Sequence, residues 1–291
     1  MSFSLHHQKM LSVGVINLTP NSFSDGQTHR EDLVAQRLKE WSFCDVIDVG
    51  AESTAPHNSP ISFEEEKKRL TTELLPFLKV WPKEITLSLD TYRLETIQWF
   101  MKACPDHVKI IWNDISGCVD RELCAFLAEY PQLKYVLSFN PMRSRSNIQS
   151  HMSFVLEGSV VDAFKQFFEE SFNQLIKTNV YSQVIADPVF GFAKSREHNH
   201  QLCRELPELM ESFACPRWMW GVSRKRFMRF PETLDAKIPG NQELLDAQAL
   251  ILYQHWLQKL TQPHTIYVRT HRPQTLGALK AFEEMQQIWM K

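Results

Sequence analysis

A (β/α)8 TIM barrel, an α/β fold carrying its site at the C-terminal ends of the strands, is the architecture the sequence predicts. Three observations predict it. The chain has 291 residues, the size of one such barrel over residues 1–291. Eight short runs rich in Val, Ile and Leu punctuate it, as strands buried on both faces require. Longer stretches with apolar residues at helical spacing separate those runs. Strands alternating with helices build a parallel sheet. Periodicity alone leaves an open, doubly wound sheet as the alternative.

In order, the predicted strands are Leu11–Asn17, Cys44–Val49, Ile85–Asp90, Val108–Asn113, Leu133–Phe139, Gln183–Asp187, Trp218–Val222 and Thr265–Arg269. The predicted helices are Arg30–Trp41, Phe63–Trp81, Thr91–Ala103, Asp120–Glu129, Gly158–Thr178, Arg196–Phe213, Gln242–Thr261 and Pro273–Met290. Asp90-Thr91 and Asn199-His200 offer helix-start chemistry. Pro273 suits the first turn of the last helix. The fifth strand is the least defined, because the stretch after it, Phe139–Met152, is polar and irregular.

Composition narrows the function. Hydrophobic residues make up 43%, with 19 Phe and 8 Trp, so a large core is available and extensive disorder is not expected. The net charge of −2 lacks the basic surplus of a nucleic-acid binder. The six cysteines include no pair separated by two residues, so neither a zinc nor a redox motif is supported. Their scatter reads as buried thiols in a reducing compartment. No run approaches the roughly 20 apolar residues of a membrane span, and the N-terminus lacks the apolar stretch of a signal peptide. A cytoplasmic protein without membrane partners is expected.

In a barrel, the residues just after each strand line the site. Asn17 ends the first, before Leu18-Thr19-Pro20-Asn21-Ser22-Phe23-Ser24-Asp25-Gly26. The second runs into Asp48-Val49-Gly50-Ala51-Glu52-Ser53-Thr54. Asp90-Thr91 closes the third and Asn113-Asp114-Ile115 the fourth. The sixth leads to Asp187-Pro188-Val189-Phe190-Gly191-Phe192. Ser223-Arg224-Lys225 comes after the seventh and Arg269-Thr270-His271 closes the eighth. Each has a plainer reading as a helix cap, surface turn or solvated charge run. Convergence of seven strands on one rim favours a site. No Ser-His-Asp or Cys-His set is evident.

The segments around Asn17–Gly26 and Ile47–Thr54 resemble the two signatures of dihydropteroate synthases. The shorter pieces at 89–91, 113–115, 187–192, 223–225 and 269–271 come in that family's order. The resemblance spans about Val13 to His271. It implies condensation of 6-hydroxymethyl-7,8-dihydropterin pyrophosphate with p-aminobenzoate. Asp187 would accept from the donor-rich pterin edge. Asp90, Asn113 and Lys225 would satisfy other ring atoms. Arg269 and His271 would hold the pyrophosphate with Asn17, the counterpart of a Mg2+ ligand. Ser223 would take the aminobenzoate carboxylate. Phe23, Ser53, Thr54, Pro56 and Phe190 would shape the aryl slot, Phe190 also lying against the pterin. Asp90, Asp187, Lys225, Arg269 and His271 form the expected catalytic set. By the same resemblance the enzyme is a homodimer through helices late in the barrel.

The sequence departs from the family pattern at several places. Ala55 stands where an Arg is usual, Val189 where Gly is usual, and Arg272 where an Asp commonly follows the final His. The Met-His-Met run common at strand five is replaced by Leu137-Ser138-Phe139-Asn140. The 9 glycines are few for such a barrel. A catalytically inactive pterin-binding paralogue is therefore an alternative reading. A methyltetrahydrofolate-type methyltransferase is another, and the Thr19–Asp25 segment, typically lacking in that class, speaks against it.

Overall fold

The computed structural model describes residues 3–5, 8–19, 33–52, 60–146, 155–223, 225–228 and 242–289. Among these described residues, nine strands run in sequence order: β1 (Phe3–Leu5), β2 (Gln8–Asn17), β3 (Val46–Gly50), β4 (Thr86–Asp90), β5 (Ile110–Asp114), β6 (Lys134–Ser138), β7 (Val184–Asp187), β8 (Arg217–Trp220) and β9 (Thr265–Thr270). From β2 to β9 every neighbour pairs in parallel. β9 returns to β2 with Lys9 opposite Thr265 and Gly14 opposite Thr270, which closes an eight-stranded barrel. Closure removes the sheet edges. β1 is an addition to the expected elements, paired antiparallel with the start of β2.

The helices are α1 (Leu33–Glu40), α2 (Phe63–Glu73), α3 (Leu75–Leu78), α4 (Leu94–Ala103), α5 (Arg121–Glu129), α6 (Val160–Lys177), α7 (Arg196–Glu211), α8 (Gln242–Lys259) and α9 (Leu276–Trp289). Three expectations are corrected. The stretch 63–81 is not one helix: it breaks at Leu74, and Pro76 sits in the first turn of α3, where its missing N–H costs nothing. Asn199-His200 does not start a helix. Ser195 caps α7 in a capping box with His198, and Asn199 lies inside. Asp90-Thr91 does not cap α4 either, since Arg93 holds the cap position without a side-chain bond. The last helix begins at Leu276, after a 3-10 turn at Pro273–Thr275.

Strand periodicity sets the interior. Val13, Val46, Ile111, Val136, Ile185, Met219 and Tyr267 meet inside the barrel as an apolar plug. A far larger apolar layer, including Trp112, Phe164, Phe168, Trp218, Trp220 and Trp256, fills the space between barrel and helices. Side chains two residues apart on a strand share a face. Two residues beyond the plug stand Val15, Asp48, Asn113, Ser138, Asp187, Gly221 and Arg269. Five of these seven are polar or charged, so the interior turns largely polar towards the C-terminal mouth.

Beside that mouth, Arg93 ties β3 to the α2–α4 layer. Its guanidinium pairs with Glu52 and, at 2.9 Å, with Glu66, and it also donates to the Ile61 carbonyl. Thr96 Oγ1 completes the Glu66 carboxylate at 2.6 Å. Burial pushes Glu66 above the usual carboxylate range, against the pull of Thr96 and Arg93.

Candidate active site

Asp48 is the hub of the mouth. It is fully buried, so its charge needs partners. Ser88 Oγ donates to it at 2.5 Å, and Asn113 Nδ2 lies 3.2 Å from both of its oxygens. Arg269 Nε donates to it at 2.7 Å. The other arm of Arg269 reaches Asp90 Oδ2 at 2.9 Å. One guanidinium thus spans the carboxylates of β3 and β4, using two separate nitrogens of its fixed fork of donors.

Asp187 ends β7 on the barrel-facing side, opposite Ser138 of β6. Its Oδ1 accepts the Val189 N–H at 2.7 Å. To present that N–H, Val189 takes φ 45°, in the left-handed region where a β-branched residue costs about 1–2 kcal/mol. The departure from glycine at 189 is therefore a strained position, held by the loop around it. Lys225 approaches from the segment after β8, its Nζ 4.7 Å from the centroid of the Phe192 ring.

Electrostatics bind these groups into one unit. Burial pushes Asp187 up to about 6, with the Val189 N–H, Lys225 and Arg269 opposing. Burial and then the nearby Asp48 charge push Asp90 up to about 7, with Arg269 opposing. Burial and then Arg269 bring Lys225 down to about 8. Arg269 is held firmly charged, Asp48 and Asp90 outweighing its desolvation. Such opposed shifts within one concave mouth are a signature of functional sites.

The remaining expected residues spread more widely. Asn17 ends β2 on the mouth side, partly buried and paired with Gly50. His271 lies just beyond β9, two residues after Arg269. Ser223 is buried, with its hydroxyl donating to Asp246 Oδ1 at 3.2 Å and accepting from Thr270 Oγ1 at 3.3 Å. Its backbone is then the part it can offer a ligand. Phe190 is 1% exposed, stacked 5.5 Å from Trp256 and 5.7 Å from Phe227. Its ring belongs to the helix layer, and the ring beside Lys225 is that of Phe192. Phe23, Ser53, Thr54 and Pro56, like the departure at Ala55, lie outside the described residues. Sequence reasoning assigned no role to Asp48, Ser88, Phe192 or Lys194. The step of two from the apolar plug was the available signal for Asp48.

The geometry offers acceptors for a donor-rich flat ring at Asp187, a donor beside it at Lys225, and a fixed cation for an anion at Arg269. The comparisons with known proteins meet this arrangement. The family model described as pterin binding enzyme matches residues 13–254. A dihydropteroate synthase of Synechocystis sp. is 32% identical over 228 residues, covering 74% of this chain and 72% of its own length. The folic acid synthesis protein fol1 of Schizosaccharomyces pombe is 28% identical over 222 residues, and the match covers 75% of this chain but 29% of fol1. The solved dihydropteroate synthase of Xanthomonas albilineans with 4-aminobenzoic acid has a TM-score of 0.75 at 25% identity, covering 95% of this chain and 93% of that one. The barrel whose mouth gathers Asp48, Asp90, Asn113, Asp187, Lys225 and Arg269 belongs to the pterin-binding enzymes, in the dihydropteroate synthase family.

Proposed function

We infer that the chain is a dihydropteroate synthase. It joins 6-hydroxymethyl-7,8-dihydropterin pyrophosphate to p-aminobenzoate, giving 7,8-dihydropteroate and pyrophosphate. The observation that carries this reading is one mouth in which the half-buried Asp187 carboxylate is within electrostatic reach of both Lys225 and Arg269. A carboxylate accepts two parallel hydrogen bonds from an amino-pyrimidinone edge as it does from a guanidinium. Asp187 is the group for that task, with Lys225 donating to the pterin carbonyl. The Asn113 amide, held by Asp48 through Nδ2, keeps its carbonyl oxygen for the same ring.

In the reaction, the C–O bond to pyrophosphate breaks first, the electron pair leaving with the pyrophosphate and a pterin-stabilised cation remaining. The aryl amine nitrogen then forms a bond to the methylene carbon and gives up one proton to water. An aniline nitrogen is already nucleophilic at neutral pH, so the chain needs no strong base. Its residues act by positioning and by meeting charge that grows on the leaving oxygen. Arg269 and His271 serve that end of the substrate. Ser223 presents backbone N–H to the aminobenzoate carboxylate.

Magnesium belongs to this reading as well. Among the described residues, no group of three or more His, Cys, Asp or Glu could hold a metal. Asn17 brings one hard oxygen to the mouth, which fits Mg2+ carried on a diphosphate, since that ion takes few protein ligands and keeps several waters. Held there by Asn17 and the diphosphate oxygens, such an ion would supply charge neutralisation to the leaving group.

The deciding assay monitors pyrophosphate release by the purified full chain. Release that depends on both substrates and on Mg2+ is expected. Tight pterin binding without release would identify a pterin-binding homologue in place of an enzyme.

The pH profile is set by the same groups. Asp187 and Asp90 must be ionised to accept, and Lys225 must be protonated to donate. Because kcat/KM reports the free enzyme, it should rise with pH through the range of about 6 to 7, reach its highest values near pH 7–8, and fall above about 8. A profile flat between about pH 5 and 9 would remove these groups from the reaction.

Location and assembly are part of the same reading. No helix among the described residues is long and apolar enough to cross a membrane. The six cysteines are free thiols, and burial pushes Cys44, Cys104 and Cys203 up to about 12. Both facts are compatible with a cytoplasmic location. A homodimer through α8 and α9 is supported by Ile251, Phe282, Met285 and Ile288, large apolar residues left exposed there. Trp256 takes no part in such a face, being 0% exposed. Sedimentation at micromolar concentration should give twice the chain mass of 34.1 kDa, and Ile251→Glu should lower it. A wild-type monomer at that concentration ends the assignment.

A further inference from the structure

Lys194 has no part in the roles described so far, yet it is among the most costly residues in the protein to place. It is 7% exposed. Its Nζ donates to the Phe192 carbonyl at 2.7 Å and to the Phe139 carbonyl at 3.0 Å. It also stands 4.6 Å from the centroid of the Phe139 ring. Burial lowers it to about 7, against the pull of Asp187. A buried ammonium is kept where its three donors do something an apolar side chain cannot.

Its effect is to join two segments. Phe139 comes directly after β6, and its N–H donates to the Asp187 carbonyl at 2.8 Å. Phe192 lies in the loop after β7. That loop runs outside any strand ladder: Val189, Gly191 and Ala193 have φ of 45°, 98° and 51°. Two further bonds tie it down. The Gly191 N–H donates to Asn199 Oδ1 at 2.6 Å, and the Ala193 carbonyl accepts the Leu156 N–H at 2.9 Å. At one end the loop orients the Asp187 carboxylate through the Val189 N–H. At the other, Phe192 supplies the ring beside the Lys225 ammonium.

We propose that Lys194 is a positioning residue for the synthase reaction: by binding the Phe139 and Phe192 carbonyls it fixes the strained loop that aims Asp187 and Lys225 at the pterin. This rests on the synthase reading above. Its larger effect falls on the pterin half of the site, because the loop it holds carries the Val189 N–H on Asp187 and the Phe192 ring beside Lys225.

The test compares full-length wild type with Lys194→Met, which keeps the length and loses charge and donors, and Lys194→Gln, which keeps one donor group. Pterin affinity is measured by calorimetry, and kcat and both KM values by pyrophosphate release. Displacement of reacting groups by about 1 Å costs on the order of 100-fold. Lys194→Met should therefore lose on the order of 100-fold in pterin affinity and kcat, with the aminobenzoate KM changed by less than about 3-fold. Lys194→Gln should recover part of the loss. A merely structural role would lower the melting temperature and leave the folded fraction with wild-type pterin affinity and KM values. That outcome, in either variant that folds, overturns the proposal. Equal rises in both KM values overturn it too. If neither variant folds, Asn199→Ser releases the same loop at Gly191, and unchanged pterin affinity in it counts against the loop as the positioning element. Wild-type protein that binds no pterin would instead sink the synthase reading itself.

Discussion

Replacing Asp187 with asparagine abolishes pterin binding and leaves the barrel folded. The carboxylate stands at the end of β7, half-buried, with one oxygen already accepting the Val189 N–H at 2.7 Å. An amide in its place keeps that bond through its own oxygen. Its NH2 group then points where the pterin presents N–H donors, so two donors face each other. A site built to hydrogen-bond a ligand edge and then denied the match loses about 10⁴–10⁵-fold in discrimination. At the low end of that range, a micromolar ligand becomes undetectable by calorimetry. Folding moves the other way. Burial raises Asp187 to about 6 from its ordinary 3.8, so above pH 6 the folded state carries a carboxylate that water would stabilise better. A group raised in the folded state costs stability as pH climbs through that interval. The neutral amide carries no such cost, and the thermal midpoint of the variant at pH 7.5 should match or exceed the wild type. Micromolar or tighter pterin affinity in a folded Asp187→Asn protein would exclude Asp187 as the pterin reader.

The contrast between Asp187 and Asp48 shows what the sequence reveals and what it conceals. Both stand two residues beyond an apolar plug residue, Ile185 and Val46 respectively. Asp187 is legible because a strand that ends in Asp-Pro announces a site at the rim. Asp48 is followed by Val49 and lies within the strand, and its partners Ser88, Asn113 and Arg269 are 40, 65 and 221 residues away. No local pattern carries contacts of that range. The same limit hides the contact of Asn113 Nδ2 with Asp48, made across 65 residues. Strand parity also fails beyond the strand. Phe190 and Phe192 are alike in sequence, but the left-handed turn at Val189 sends the first into the helix layer and leaves the second by Lys225. Positive φ at a valine is not a choice any propensity predicts. Asn199 was a plausible cap, and Ser195 took the position because its box with His198 satisfies two backbone donors together. The eight strands themselves were readable to within three residues, because a strand buried on both faces has few ways to be polar.

Replacing Arg269 with alanine should weaken binding of the pyrophosphate-bearing pterin by about 10²–10³ and binding of plain hydroxymethylpterin by less than about tenfold. Charge placement is the reason. Arg269 donates through Nε to Asp48 at 2.7 Å and through Nη2 to Asp90 at 2.9 Å, which leaves guanidinium donors to spare. Its side chain is 24% exposed, and that of Asp48 is 0%. The carboxylates thus anchor the back of the guanidinium and leave part of it open to the mouth. A ligand without the diphosphate does not use that open part, so it loses little when the cation goes. The substitution has a second effect that must be separated from the first. Asp48 and Asp90 stay behind without their shared cation, and removing one partner of a buried pair costs about 3–5 kcal/mol of stability. Asp90, already raised by burial and by Asp48, climbs further and takes up a proton near neutrality. Arg269→Lys distinguishes the two effects. A lysine keeps the charge for the diphosphate but lacks the separate Nε and Nη2 donors that hold Asp48 and Asp90. It should recover much of the diphosphate affinity while remaining less stable than the wild type. Calorimetric titrations of both ligands, run below the variants' melting temperatures, decide the matter: equal losses for the two pterins in Arg269→Ala would take Arg269 out of the anion site and leave it as a brace between β3, β4 and β9.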